Sequence, residues 1–296
     1  MMLKSKNFFV SWCLSLFLVF VLVAGAHAYS SVLAFGDSLS DNGYYQGYDG
    51  GTAGNTNPYD IYGFRRYSNG QVWVEYLAQN LGVSLLDVAY GGATSGSTNP
   101  AASSAGYGYT GLQWQIGQFA SVDSNALITI TAGGNDMFNY ASNPSLYNPI
   151  TAANNIAAAI QNLIVMGGRE FLVMNLSLTQ QSAAAQAWMT YFNAQLASNL
   201  TALMAVNSTV TGLDIDLLDM NKLVLTGIDY MDGTYLAQTY GDGTYAWWDT
   251  VGVHPTTEVH QQIADYAWSV AVPEPASVIL LILGFAGLVG ARRKIK

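Results

Sequence analysis

Two side chains that lie far apart in the chain could act as a nucleophile and its base. Ser38 lies in the string GDSLS (36–40), directly after a short apolar run, and His254 lies in the string HPT (254–256). A serine hydroxyl becomes an effective nucleophile when a neighbouring base takes its proton, and histidine titrates close to neutral pH. Short strings of Gly, Asp and Ser also form ordinary turns, so position 38 needs further support. His260 lies inside a helical pattern, and we predict a structural role for it.

The composition argues against a metal centre and against binding to nucleic acid. The single cysteine is Cys13, and the two histidines beyond residue 28 cannot build a zinc site with three His or Cys ligands. We therefore predict no metal and no cofactor. Residues 29–272 retain four of the ten Lys and Arg residues and eighteen of the nineteen Asp and Glu residues, a formal charge near −14. Phosphate backbones repel a domain of this charge, which excludes nucleic acid as a partner.

Strand and helix patterns alternate through the middle of the chain, and they would position these residues. Short apolar runs, most of them ending in Gly or polar residues, predict buried parallel strands at 31–35, 83–89, 126–131, 171–176 and 210–217. Apolar residues at helical spacing predict helices at 72–81, 112–120, 152–166, 183–205 and 257–271. The alternation favours a three-layer α/β/α sandwich with a parallel sheet, whose active site lies at the carboxyl ends of the strands. The Gly-rich segments 42–57 and 94–109 are expected to border that site.

Both ends of the chain have the pattern of export signals. Residues 1–28 contain two lysines, an apolar run and a final Ala-His-Ala, which predicts a secretory signal peptide rather than a membrane anchor. Residues 273–296 contain the string PEP, an apolar run and a basic cluster, and they resemble the PEP-CTERM sorting signal of Gram-negative bacteria. That resemblance implies transient anchoring in the inner membrane and cleavage by an exosortase-type enzyme. A plain C-terminal anchor or a buried helix is the alternative. Residues 29–272 would then form the working domain, in the cell envelope or extracellular matrix.

Four strings within residues 29–272 resemble the sequence blocks of one hydrolase family. They are GDSLSDNG (36–43), AYGGA (89–93), GGND (133–136) and HPT (254–256), and they occur in the family order of the GDSL/SGNH hydrolases. The string SNGQVWVEYL (68–77) is similar to the lipase-like branch. Each string is weak by itself, but the four together span nearly all of the predicted domain. The resemblance implies an SGNH-hydrolase fold, which is flavodoxin-like, and ester hydrolysis without a cofactor.

The resemblance also implies a role for each residue of the site. Ser38 would attack an ester carbonyl, and His254 would take its proton. The N–H of Ser38, the N–H of Gly92 and the side chain of Asn135 would stabilise the negatively charged oxygen of the transition state. Gly91 is the alternative to Gly92, because the register of the string allows either.

The supporting acid departs from the family pattern. The family places its carboxylate three residues before the histidine, but position 251 is Val, and the nearest acid is Asp249, five residues before His254. We predict that Asp249 reaches the imidazole through a bulged loop, orienting the ring and stabilising its charge. Asp242 or a backbone carbonyl is the alternative. Asp87 stands where the family often has Asn, and we predict a structural role for it.

These features lead to two hypotheses about function. The first is an exported serine esterase or lipase that hydrolyses acyl or acetyl esters of lipids or polysaccharides. The second is a catalytically weak or inactive surface or matrix protein on the same fold, which binds glycans through aromatic residues at 44–48 and 247–248. Covalent labelling of the serine would separate the two hypotheses.

Overall fold

A five-stranded parallel sheet lies at the centre of the computed structural model, which describes residues 29–43, 66–106, 108–178, 182–226 and 253–272. Its strands are β1 (Ser31–Gly36), β2 (Ser84–Asp87), β3 (Ala126–Thr131), β4 (Glu170–Met174) and β5 (Asp214–Leu218). They are hydrogen-bonded in the order β2-β1-β3-β4-β5, and every neighbouring pair is parallel. The chain therefore reverses its direction of winding between β1 and β3. In open sheets of this kind, ligands bind at the carboxyl ends of the strands at that switch point.

Six α-helices and one 3₁₀ turn accompany the sheet in the described residues. The helices are α1 (Trp73–Leu81), α2 (Leu112–Ile116), α3 (Gly134–Asn139), α4 (Pro149–Val165), α5 (Ala183–Val206) and α6 (Thr257–Ala271), and the 3₁₀ turn is Pro100–Ala105. No described helix has both the length and the apolar character needed to cross a membrane. The predicted signal peptide (1–28) and C-terminal segment (273–296) lie outside the described residues.

One face of the sheet packs against α2, α4 and α5. Alternate residues of the three central strands point to this face, and the parallel register aligns Leu33 with Ile128 and Ile128 with Phe171. They join a cluster of buried side chains from the three helices, which includes Leu112, Ile116, Ile156, Ile160, Leu163, Phe192, Leu196 and Leu200. This apolar layer fixes the central strands and so fixes the loops that follow them.

On the opposite face of the sheet, α1 packs against β1 and β2, and α6 is hydrogen-bonded to α1. The Tyr76 hydroxyl lies 2.8 Å from Thr257 Oγ1, and Asn80 donates to Asp265 at 2.9 Å. At the start of α1, the Trp73 N–H donates to Nδ1 of the fully buried His260 at 3.2 Å. Burial lowers the pKa of His260 to about 3, so the ring is neutral. Nδ1 can accept the Trp73 N–H only when the ring is neutral. His260 therefore caps α1, in agreement with the structural role predicted for it.

The predicted three-layer α/β/α fold is confirmed, and all five predicted strands are present. The two edge strands are less buried than their apolar sequences suggested, and β2 and β5 both have exposed or half-buried positions. Strand β5 begins at Asp214 rather than at 210, because residues 207–213 form turns first. Helix α2 is shorter than predicted. Helix α3 was not predicted at all, since the string GGND was expected to lie in a loop.

Candidate active site

The position of Ser38 follows from the way β1 ends. Gly36 has a φ of +147°, and a Cβ at this position would lie 2.2 Å from the Thr131 carbonyl oxygen on β3. Only glycine permits β1 and β3 to approach so closely at this point. The next residue is bonded to the same group, since the Asp37 N–H donates to the Thr131 carbonyl at 3.1 Å. The chain then turns back on itself through hydrogen bonds from Ser40 and Asp41 to the Asp37 carbonyl. Ser38 therefore lies in a tight turn at the switch point of the sheet.

The Ser38 hydroxyl meets the ring of His254 at this turn. Ser38 Oγ lies 2.9 Å from His254 Nε2, although 216 residues separate the two in sequence. Ser38 is 8% exposed, so the hydroxyl is largely shielded but still reachable. A donating serine hydroxyl requires the tautomer in which Nε2 is unprotonated and Nδ1 carries the hydrogen. The pair has the geometry of a nucleophile and its general base.

The string at 68–71 holds the segment that carries His254. The Ser68 hydroxyl donates to the Pro255 carbonyl at 3.0 Å, and the Asn69 side chain accepts the Thr257 N–H at 2.8 Å. This second bond caps the N-terminus of α6, where unpaired N–H groups need an acceptor. The Thr257 hydroxyl donates to the Gln71 carbonyl at 2.9 Å. The entrance of α6 is thus fixed by a segment that lies far away in the sequence.

Helix α3 positions Asn135 next to the predicted glycine pair. Asn135 lies in the first turn of α3, and its Nδ2 donates one hydrogen to the Ala93 carbonyl at 3.0 Å. The N–H groups of Ser38 and Gly92 have no acceptor among the described residues. By contrast, the Gly91 N–H donates to Asp41 at 2.7 Å. Of the two glycines, Gly92 therefore has the N–H that a substrate oxygen could use.

Both glycines of the pair are packed against side chains. A Cβ at Gly91 would lie 2.1 Å from Cε2 of Tyr67, and a Cβ at Gly92 would lie 2.5 Å from Asn99 Oδ1. Gly92 also has a φ of +82°, in the left-handed region that favours glycine. The Tyr67 ring is tilted against His254, with ring centroids 5.0 Å apart. Tyr67 therefore contacts the base and also fills the space beside the glycine pair.

Four buried aspartates surround these strand ends, and each accepts backbone N–H groups. Burial is the main cause that raises the pKa of Asp37 to about 7, of Asp41 and Asp136 to about 6, and of Asp87 well above its ordinary value. Asp136 accepts the N–H and the hydroxyl of Ser95, at 2.8 and 2.7 Å. Asp87 accepts the N–H groups of Asn42 and Ala89, which agrees with the structural role predicted for it. These carboxyl groups are the framework that holds the loops of the site together.

A cavity of about 610 Å³ opens beside Ser38, Asn135 and His254. Most of its lining is apolar: Leu39, Trp73, Met137, Phe138, Met174, Leu176, Met189, Met220, Leu223, Leu225, Val253, Val259 and Ile263. The amide groups of Asn175 and Asn221, which also line it, are bonded within the protein to neighbours that include Asp219. The surface of the cavity is therefore mainly apolar, and the cavity volume lies within the usual range for small-ligand sites.

The structure places most, but not all, of the predicted site residues. Ser38, Asn135 and His254 line one cavity; Gly92 does not line it, but it precedes the residue whose carbonyl Asn135 contacts. Asp249 and its alternative Asp242 lie outside the described residues, as do the aromatic residues at 44–48 and 247–248 and most of segment 42–57. Within the described residues, no group of three His, Cys, Asp or Glu side chains could hold a metal ion.

Sequence reasoning missed the residues that hold the site in place. They are Tyr67, Asn69, Asn99 and Asp136. Asn69 belongs to a string that the family resemblance had singled out, and its capping role could have been proposed from that string. Asp136 likewise belongs to the string GGND (133–136), although its bond to Ser95 could not be read from that string. Asn99 carries no signal in one sequence, because a buried Asn is recognised only by the backbone groups that it contacts.

The fold and the site together define the class of the protein: a flavodoxin-like α/β/α sandwich with a serine after β1 and a histidine before α6. The chain belongs to the GDSL-like lipase/acylhydrolase family, whose sequence model matches residues 32–267. A second sequence model, that of the PEP-CTERM protein-sorting motif, matches residues 271–294. Both resemblances seen in the sequence are thereby confirmed.

Two proteins of other bacteria are similar in sequence. Phosphatidylcholine-sterol acyltransferase of Aeromonas hydrophila is 30% identical over 202 residues, which cover 64% of this chain and 59% of that protein. Thermolabile hemolysin of Vibrio parahaemolyticus is 25% identical over 280 residues, which cover 80% of this chain and 62% of that protein. The chain thus spans about three fifths of the length of these relatives.

Solved structures are similar at low sequence identity. A lipolytic protein of the G-D-S-L family from Veillonella parvula is 16% identical, with a TM-score of 0.48 over 82% of this chain and 99% of that one. An acetylxylan esterase from Geobacillus stearothermophilus is 13% identical, with a TM-score of 0.43 over 83% of this chain and 94% of that one.

Proposed function

We propose that this protein is an exported serine esterase that hydrolyses carboxylic esters through Ser38 and His254. The observation that carries the proposal is the 2.9 Å distance between Ser38 Oγ and His254 Nε2 beside an apolar cavity. Membership of the GDSL-like lipase/acylhydrolase family supports the same reaction class.

The mechanism follows from the positions of the groups. His254 Nε2 takes the hydroxyl proton as Ser38 Oγ attacks the ester carbonyl, and the ring then gives that proton to the leaving alcohol. Water, activated by the same ring, next cleaves the acyl-serine and releases the acid. The negative charge on the carbonyl oxygen is stabilised by the N–H groups of Ser38 and Gly92 and by the second amide hydrogen of Asn135. Such donors act mainly in the transition state, and losing one costs about 10²–10³ in kcat.

The acid that supports the base is assigned to Asp249. A carboxylate that accepts the Nδ1–H of His254 would hold the tautomer that the Ser38 contact requires, and it would stabilise the charged ring. Asp242 and a backbone carbonyl remain the alternatives. If Asp249 has this role, Asp249→Asn lowers kcat steeply and Asp242→Asn does not.

The cavity favours an ester with an apolar acyl chain over an acetyl ester. An acetyl group would leave most of a cavity of about 610 Å³ unfilled. Each methylene group that is buried contributes about 0.8 kcal/mol, which is roughly a fourfold gain in binding. Four methionines in the lining can adapt to a flexible chain. The similarity to a protein named for phosphatidylcholine and sterol acyl transfer supports an acyl-lipid substrate.

The location is assigned from the two ends of the chain. The chain carries a PEP-CTERM sorting motif at 271–294. We assign residues 1–28 as a signal peptide, residues 29–272 as the hydrolase domain and residues 273–296 as the sorting segment. Processing by an exosortase-type enzyme after transient anchoring in the inner membrane would leave the esterase in the cell envelope or extracellular matrix of a Gram-negative bacterium.

The test is the turnover of p-nitrophenyl esters from acetate to octanoate by the purified protein. We expect kcat/KM to rise at least tenfold from acetate to octanoate, and Ser38→Ala to abolish turnover of every ester. Ser142→Ala, which changes an exposed serine on another loop, is the matched control and should retain parental activity. Equal turnover by Ser38→Ala and its parent would remove Ser38 from the mechanism. An inactive parent would favour the alternative, a glycan-binding protein on the same fold.

A further inference from the structure

The buried side chain of Asn99 holds the carbonyl group of Gly91. Asn99 has no exposed surface, and its Nδ2 donates to the Gly91 carbonyl at 2.8 Å and to Thr110 Oγ1 at 2.9 Å. Its Oδ1 accepts the Ala102 N–H at 3.2 Å. Both amide hydrogens and the amide oxygen are therefore engaged, so the orientation of the side chain is fixed by its partners.

Holding this carbonyl also fixes the direction of the Gly92 N–H. The Gly91 C=O and the Gly92 N–H belong to the same peptide unit, and in a planar trans peptide they point in opposite directions. The bond from Asn99 therefore aims the Gly92 N–H away from Asn99. On the other side of Gly91, its own N–H is held by Asp41 at 2.7 Å. The two peptide units that meet at Gly91 are thus both held, the first through its N–H and the second through its C=O, while the Gly92 N–H has no acceptor among the described residues.

We propose that Asn99 is a positioning residue, which keeps the Gly92 N–H in the orientation needed to bind the transition-state oxygen. The inference rests on the proposed function, since it takes Gly92 as an oxyanion donor. Asn99 lies outside the four sequence blocks and acts only through the backbone. Because the oxyanion exists in the transition state and not in the bound substrate, a misdirected N–H lowers kcat and leaves KM nearly unchanged.

The test replaces Asn99 by Asp, which keeps the shape but puts an oxygen where Nδ2 donates. Two acceptors would then face each other, and the Gly91 carbonyl would turn away. We expect kcat of Asn99→Asp to fall about 10- to 100-fold, with KM within about threefold, because small misplacements of catalytic groups have effects of this size. Asn207→Asp is the matched control: Asn207 Nδ2 also donates to a carbonyl, that of Leu203 at 2.9 Å, after α5. It should retain parental kcat.

A second variant keeps the inference testable if Asn99→Asp does not fold. Thr110→Val removes the hydroxyl that accepts the other Asn99 hydrogen but keeps the size of the side chain. We expect a loss of kcat of several-fold, smaller than that of Asn99→Asp, again without a rise in KM. Parental kcat in a folded Asn99→Asp, or in Thr110→Val if the first variant is unfolded, would overturn the inference.

A spectroscopic readout separates this inference from the proposed function. In protein labelled with ¹⁵N-glycine, the Gly92 amide signal should shift in Asn99→Asp, or in Thr110→Val, and not in Asn207→Asp. If the parent hydrolyses no ester, the proposed function fails, and this signal alone then decides whether Asn99 orients the peptide. An unchanged Gly92 signal would overturn the inference even in an active enzyme.

Discussion

At the scale of single residues, both the backbone conformation and the surrounding space disfavour a side chain at Gly92. Its φ of +82° disfavours any side chain, and the space beside its Cα is filled by Asn99 Oδ1 and by the Ala101 Cβ, which would lie 2.5 and 2.7 Å from an added Cβ. Gly82, at the end of α1, has a similar φ of +69° but nothing within 4 Å of the same position. Comparing the two glycines separates backbone strain from the role of the glycine pair in the site.

We predict that Gly92→Ala and Gly82→Ala both lower the free energy of unfolding by about 1 kcal/mol or more, because a left-handed φ strains alanine. Only Gly92→Ala also displaces Asn99, so it alone should lower kcat, by at least tenfold. Denaturant unfolding and steady-state kinetics of both variants provide the measurement. Parental kcat in Gly92→Ala would show that this N–H takes no part in catalysis.

Single site residues could be predicted from the sequence where the residue type is rare in the chain or the surrounding string is recognisable. Ser38 and His254 could be chosen because few histidines exist and because each lies in a recognisable string. The choice between Gly91 and Gly92 could not be made, since it depends on which N–H the Asp41 carboxylate accepts. Asn99 could not be found, because its role is visible only in the carbonyl that it holds.

At the scale of elements, the short helix α3 is tied to the loop after β2. Asp136 accepts the N–H and hydroxyl of Ser95, and Asn135 donates to the Ala93 carbonyl, so two adjacent helix residues hold one loop. The same loop carries Gly92. The relative positions of Asn135 and Gly92 therefore depend on this pair of contacts between α3 and the loop.

The buried Asp136 should make stability depend on pH. Burial raises the pKa of Asp136 to about 6 in the folded protein, above its ordinary value of 3.8. The folded state therefore binds the Asp136 proton more tightly than the unfolded state does. The contribution of this protonated carboxyl group to stability is complete below pH 3.8 and is lost as pH rises through about 6. The difference between these two pKa values corresponds to roughly 3 kcal/mol.

Asp136→Asn removes this titration, and it also removes a charge that helps to raise the pKa of Asp37, whereas His260 is common to both proteins. We predict that the free energy of unfolding of the parent, relative to the variant, falls by about 2–3 kcal/mol between pH 4 and pH 7. Denaturant unfolding across this range measures the difference. A difference that stays constant with pH would contradict the assigned environment of Asp136.

Elements with clear periodicity were predicted well, and short ones were not. Helix α6 was predicted with its observed bounds, and α4 and α5 were placed to within three residues. Helix α3 has only six residues, too few to show a helical period, and it begins with glycine. The edge strands β2 and β5 look like buried strands in sequence, because burial depends on the neighbours that a strand has in the sheet.

At the scale of the whole molecule, the fold brings together two site residues from opposite ends of the domain sequence. Ser38 follows the first described strand and His254 precedes the last helix, yet their side chains are 2.9 Å apart. The order of the sequence blocks predicted this meeting. The cavity was not predictable, because its lining comes from segments spread between residues 37 and 263.

The reaction of Ser38 with a fluorophosphonate tests the central claim most directly, since the reagent traps a serine that a base has activated. Intact-mass analysis and peptide mapping should find one adduct, on Ser38, in the parent protein. His254→Ala should label at least 100-fold more slowly, because the hydroxyl has lost its base. His260→Gln, which keeps an acceptor for the Trp73 N–H, should label at nearly the parental rate. No adduct on Ser38, or equal labelling in His254→Ala, would contradict the account.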